Sequence, residues 1–274
     1  MLNYKKVVES GVHSYQEKAL IFLARRSYNE NNYNKSNLYY TKLLDLASSN
    51  SLKREVAIRL MLGNEHTDIL VALKYAKQVV DFDKVDDWLL SKAYIIIARC
   101  EFDAGNYAKS KSTFERVSNL SLYDEGAEAK YYLAYLTYLD EELSLAEQLI
   151  FALADNYNND HFIAKAYILL SDIYLAQDNL FQAQATLESV IENHDGEDLV
   201  NVARKKWEFI LETKKEIAVD EIEEQSFIEI SEEDFEYEVI EIDEDYTVPI
   251  PEVINLDVDS LEIINQNILI DEFE

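Results

Sequence analysis

Apolar and small residues recur at three- and four-residue steps through most of the chain, the pattern of helices that bury one face. One stretch shows the unit. Tyr94, Ile97, Ala98 and Phe102 stripe a first helix, Gly105-Asn106-Tyr107 turns the chain, and Ser110, Phe114 and Val117 stripe a second. Glycine gives the turn the backbone freedom that ends a helix. Ser110 is short where two helices joined by a tight turn must approach closely. A small residue takes that place five times, at Ser36, Ala72, Ser110, Ala146 and Ala183, at steps of 36, 38, 36 and 37 residues. So regular a period predicts stacked helical hairpins sharing a continuous core.

The other units keep the stripe with different side chains. Leu20, Leu23 and Ala24 precede Ser36, Tyr40 and Leu43; Leu133, Ala134 and Thr137 precede Ala146, Ile150 and Leu153. In the fifth unit Tyr167, Leu170, Ser171 and Tyr174 lead through Asp178-Asn179 to Ala183, Leu187 and Val190. The second unit is the weakest, because Gly63 falls inside its predicted first helix. The expected organisation is a partial repeat over 1–16 (second helix only), five repeats over 17–198, a capping helix over 199–217 and an acidic tail over 218–274. Trp207 is expected to close the last hairpin.

Small residues at Ala24, Ala98, Ala134 and Ala183 and aromatics at Tyr28, Tyr40, Phe114 and Tyr174 resemble the tetratricopeptide-repeat (TPR) family across roughly residues 17–198. The family's early tryptophan and closing proline are absent, and the units exceed its 34 residues by about two to four. The resemblance implies an all-α, right-handed superhelix of TPR-like helix-turn-helix repeats. It also implies a non-catalytic scaffold that binds a protein or extended peptide on its concave face. Ala127–Tyr138 and Ala164–Leu187 look like the last repeats of bacterial envelope proteins of the outer-membrane assembly lipoprotein and Tol–Pal-associated types. That likeness implies the periplasm or outer-membrane periphery if the chain is part of a longer exported protein. The alternative is a cytoplasmic adaptor whose acidic tail captures a basic partner.

By analogy with the family, the groove is lined by Arg25, Tyr28, Arg99, Phe102, Tyr131, Tyr135, Tyr138, Lys165, Asp172 and Leu175. Aromatics and arginine are enriched in protein-binding hot spots. Tyr131, Tyr135 and Tyr138 form one helical stripe, which suits either a binding groove or packing between neighbouring repeats. The unpaired half-repeat at the N-terminal end leaves a face for self-association or for further repeats.

Charge changes the picture at one end. The formal net charge is −29, with 54 acids and 25 bases. Residues 217–274 hold 21 acids and no Lys or Arg, leaving 54 − 21 = 33 acids against 25 bases, or −8, on the rest. Such a balance disfavours nucleic acid, whose binding needs clustered cations. In the tail, acids alternate with β-branched residues, a composition that opposes compaction alone yet offers apolar side chains to a partner or to the chain's own groove.

Nothing in the sequence assembles an active site or calls for a cofactor. His13, His66, His161 and His194 are scattered, with His161 and His194 in predicted loops, and the five glycines build no phosphate loop. Acid pairs such as Asp86-Asp87 and Glu141-Glu142 read as solvated or helix-start charge. Cys100 reads as a small buried hydrophobe. No stretch reaches the roughly 18 apolar residues of a membrane span.

Overall fold

Every regular element among the described residues, 2–10 and 13–212, of this computed structural model is a helix. The first helix, α1 (Leu2–Ser10), has no hairpin partner of its own and packs against the helix that follows, with Tyr4 stacked on Phe22 at 4.3 Å. Five hairpins follow: α2 (His13–Asn29) with α3 (Tyr33–Leu44), α4 (Asn50–Asn64) with α5 (Ile69–Val80), α6 (Asp87–Asp103) with α7 (Tyr107–Leu120), α8 (Asp124–Leu139) with α9 (Leu143–Asn156), and α10 (Asp160–Ala176) with α11 (Leu180–Asn193). A last helix, α12, occupies residues 197–212. The fold is therefore all-α, with TPR-like helix-turn-helix repeats. The acidic tail lies outside the described residues. The first hairpin opens at His13, four residues ahead of the expected boundary at 17.

The small residues that set the period are all fully buried: Ser36, Ala72, Ser110, Ala146 and Ala183 have no exposed surface. Twelve positions earlier, on the facing helix, stand Ala24, Ala98, Ala134 and Ser171 in four of the hairpins, also with none. Short side chains on both sides let the backbones close in. In the first hairpin the Ser36 hydroxyl even donates to the Ala24 carbonyl at 3.1 Å. One turn beyond each small residue comes the filler, Tyr40, Ala76, Phe114, Ile150 or Leu187, again wholly buried.

Four turns share one geometry. Asn31, Gly105, Glu141 and Asp178 adopt positive φ between 55° and 72°. Each stands five residues before its small residue. The next amide reaches back across the turn: Asn32 N–H to Ser27 C=O (2.8 Å), Asn106 to Glu101 (2.8 Å), Glu142 to Thr137 (3.1 Å) and Asn179 to Tyr174 (2.8 Å). This is the Schellman closure, which satisfies the last carbonyls of a helix through one left-handed residue. Glycine does this without strain in the third hairpin only.

The second hairpin is built differently. Thr67, at the corresponding turn position, is absent from the left-handed set, and its hydroxyl accepts from Asn37 Nδ2 at 3.0 Å. Asp68 caps α5 by accepting from both Leu70 and Val71 amides at 3.1 Å. Leu60, 1% exposed, takes the place of the small residue. Gly63 lies inside α4 as expected, and a Cβ there would overlap the Asn37 side chain of α3. The irregular glycine thus marks a close approach between hairpins.

The first helices of the last three hairpins touch in succession, α6 with α8 and α8 with α10, whereas second helices make no comparable contact with the next second helix among the described residues. In this part of the array the first helices therefore line the tighter, inner side. At its end, Trp207 of α12 packs against the C-terminal core and donates its indole N–H to Glu188 of α11 at 2.9 Å.

Candidate functional site

Two kinds of interaction run along the inner side, from one first helix to the next. The first is a set of ion ties. Arg25 of α2 holds both oxygens of Glu55 on α4 at 2.7 and 2.6 Å. Arg99 of α6 reaches backward to Glu65 at 2.9 Å and forward to both oxygens of Glu128 on α8 at 2.5 Å. Lys92 pairs with Glu125, and Lys206 of α12 holds Asp172 of α10 at 2.8 and 3.1 Å.

Burial sorts these ties. The Arg25 and Glu55 side chains are 55% and 29% exposed, but Glu128 beneath Arg99 is only 7% exposed. Burial opposes the charge on Arg99, yet the hydrogen bond and attraction of Glu128, followed by Glu65, outweigh it and hold its pKa above the ordinary arginine value. Lys92 is likewise desolvated and raised by Glu125. Burial pushes the Asp172 carboxyl above its usual range, against the pull of Lys206.

The second is an aromatic ledge. Phe102 of α6 meets Tyr135 of α8 edge-on at 6.0 Å, Tyr135 lies over Tyr131 at 6.4 Å, and Tyr131 meets Phe162 of α10 at 6.0 Å. All four rings are half-buried. The Lys165 ammonium stands 5.6 Å from the Tyr131 ring centre, within cation–π range. Tyr132 stacks beneath on Phe114 at 4.8 Å, its hydroxyl pushed up to about 12 by burial. Tyr138 and Leu175 are half-buried beside the C-terminal core.

Apart from Tyr138 and Leu175, the expected groove residues thus separate into two groups. Phe102, Tyr131, Tyr135 and Lys165 come together on the ledge. Arg25, Arg99 and Asp172 are engaged by partners within the chain, and Tyr28 lies under the Arg59 guanidinium at 4.8 Å. The sequence reading missed those partners: Glu55, Glu65, Glu128, Lys206 and Phe162. A signal existed, because paired charges stand 29 to 34 residues apart, close to one repeat. Two smaller expectations are corrected. His161 lies in the first turn of α10 rather than a loop, because Asn159 caps that helix through the Phe162 amide. Cys100 is half-buried, not fully enclosed.

A 410 Å³ cleft, unsuspected from the sequence, opens between α4 and the start of α6. Its walls are Ser51, Arg54, Glu55, Ile58, Arg59, Leu62, Trp88 and Leu89. Trp88 is 53% exposed at the rim.

Helical hairpins with small residues at their crossings, stacked one on the next, define a TPR-like repeat fold. Among solved structures the chain is similar to YrrB, described as a TPR protein with an unusual peptide-binding site, at 17% identity and a TM-score of 0.49 over 74% of this chain and 97% of that one. It is also similar to MamA, at 15% identity and a TM-score of 0.48 over 66% and 96%. A thermophilic TPR protein of Thermus thermophilus matches at 18% identity and a TM-score of 0.42 over 71% and 98%. No family model matches the sequence, and no curated protein does at a significant level.

Proposed function

We propose that the protein is a non-catalytic scaffold that takes a protein segment or extended peptide along the inner side of its hairpin array. The aromatic ledge carries this reading: four half-buried rings from three successive first helices form one continuous surface beside a lysine. Aromatic area of this kind, part apolar and part hydroxyl, is what protein-binding hot spots use. The ion ties have the complementary role of fixing the spacing of the first helices, so that the ledge is presented preformed and little ordering cost accompanies capture.

Displaying random dodecapeptides against the full chain tests the reading. Enriched peptides should bind at least tenfold more weakly to Tyr131→Ser and Tyr135→Ser variants of unchanged helicity. They should also crosslink to a photoreactive residue at position 135 and not to one at Leu145, which is exposed on the second helix α9. Failure to enrich any sequence, or crosslinking at Leu145 alone, would remove the inner face as the binding surface. An envelope assembly as the setting rests on the likeness of Ala127–Tyr138 and Ala164–Leu187 to envelope repeats; cell fractionation checks it.

A further inference from the structure

The cleft between α4 and α6 differs chemically from the ledge. Its base is apolar, made by Ile58, Leu62 and Leu89, and Trp88 stands at its rim. Two guanidiniums border it. Arg59 lies on the Tyr28 ring at 4.8 Å, and Arg54 lies on the Phe82 ring at 4.8 Å while donating to the Lys84 carbonyl at 3.4 Å. Among the described residues neither arginine has a carboxylate partner, as Arg116 and Arg204 also have none, whereas Arg25, Arg26 and Arg99 do. Glu55, the acid in the wall, is occupied by Arg25. The lining with that ion pair therefore carries two guanidiniums outside any ion pair among the described residues, in an array whose net charge is −8.

Stacking on an aromatic face holds a guanidinium in place but leaves its N–H fork unused. A preplaced fork beside an apolar pocket is suited to a carboxylate that arrives attached to a bulky apolar side chain. The volume fits one or two side chains, not a folded partner. An apolar base with an acid in its wall is poorly suited to a run of phosphates.

We infer that this cleft is a docking site for an acidic peptide segment of a partner protein, with an apolar side chain seated against Ile58, Leu62 and Trp88 and carboxylates held by Arg54 and Arg59. This rests on the scaffold reading and gives it a partner chemistry at a place distinct from the ledge.

Calorimetric titration of the full chain with three capped hexapeptides tests it: glutamates flanking a central phenylalanine, the same peptide with glutamine for each glutamate, and the same with lysine. The acidic peptide should bind and should alter Trp88 fluorescence, read in a Trp207→Phe background. The glutamine peptide should bind about tenfold more weakly, the scale of one charge-assisted pair, and the lysine peptide not at all. Arg54→Gln and Arg59→Gln should each weaken the acidic peptide by a similar factor, while Leu145→Ala should not. Because the peptide series needs no variant, misfolding of an arginine variant does not blunt the test. Equal binding of the glutamine peptide, or tighter binding of a short single-stranded oligonucleotide, overturns the inference. If the acidic peptide is lost in Tyr135→Ala but not in Arg59→Gln, the cleft assignment falls and the scaffold reading stands. If no peptide of any charge binds here or in the display experiment, both fall.

Discussion

The second hairpin and the other four reach the same stacked geometry by different residues. Four hairpins cross through paired small side chains and close their turns through a left-handed residue. The second crosses with Leu60 opposite Ala72, closes through Thr67 and Asp68, and makes its close approach to the preceding hairpin at Gly63. The helix carrying Leu60 and Gly63, α4, also carries Arg54, Glu55, Ile58, Arg59 and Leu62 of the cleft. Departure from the repeat pattern at the crossing and most of the cleft lining therefore fall on one helix. Repeat geometry tolerates such variation because each hairpin needs only a filled crossing and satisfied helix ends, not particular side chains.

Substitution at the crossing gives the largest expected contrast. Leu60→Ala should destabilise the fold by about 3 kcal/mol, since removing a buried leucine leaves a cavity. The reverse change in the third hairpin, Ala98→Leu, should also destabilise, by about 2 kcal/mol, through overpacking. Urea denaturation of both variants checks the pair. Were Leu60→Ala nearly neutral, the second hairpin would have room to collapse to the common crossing, and the contrast would dissolve.

Next come the ion ties. Arg99→Ala leaves Glu128 nearly buried without its cation, and the loss should be about 2 kcal/mol, below the range for fully buried pairs because Arg99 itself is 31% exposed. Arg25→Ala breaks an exposed pair and should cost less than about 1 kcal/mol. Chemical denaturation at low and high salt separates them, with only the Arg25 effect fading in salt.

The smallest effects probe the turns. Glu141 holds a φ of 61°, a conformation costly for any residue with a Cβ, so Glu141→Gly should stabilise by about 0.5–1 kcal/mol. Thr67→Gly, at the corresponding position of the second hairpin, should instead destabilise by about 1 kcal/mol, because its hydroxyl bridges Asn37 and the end of α4. Thermal melts of the two variants should therefore shift in opposite directions. Shifts of the same sign would mean that the turns are more alike than their hydrogen bonds indicate.

Much of the fold was legible because its determinants are local. A helix that buries one face displays its period in the sequence, and a crossing that needs a short side chain shows a small residue at Ser36, Ala72, Ser110, Ala146 and Ala183 whatever surrounds it. The helical period shows only that Tyr131, Tyr135 and Tyr138 form one stripe; that Tyr131, Tyr135 and Phe102 share the groove face is what the resemblance to TPR repeats implies. Their assembly into one ledge with Phe162 was not legible, because that depends on how far each hairpin is rotated against the next.

The sequence by itself determined the hairpins, their period, their buried stripes and the concentration of acid beyond residue 216, since each follows from side chains a few positions apart or from simple composition. Only the tertiary structure decided that Arg25 and Arg99 are held by acids one repeat away while Arg54 and Arg59 are not, that Gly63 marks a contact with Asn37, and that a cleft opens beside Trp88. Those outcomes depend on the spacing and rotation between successive hairpins, which arise from the packing of every crossing together and are encoded at no single position.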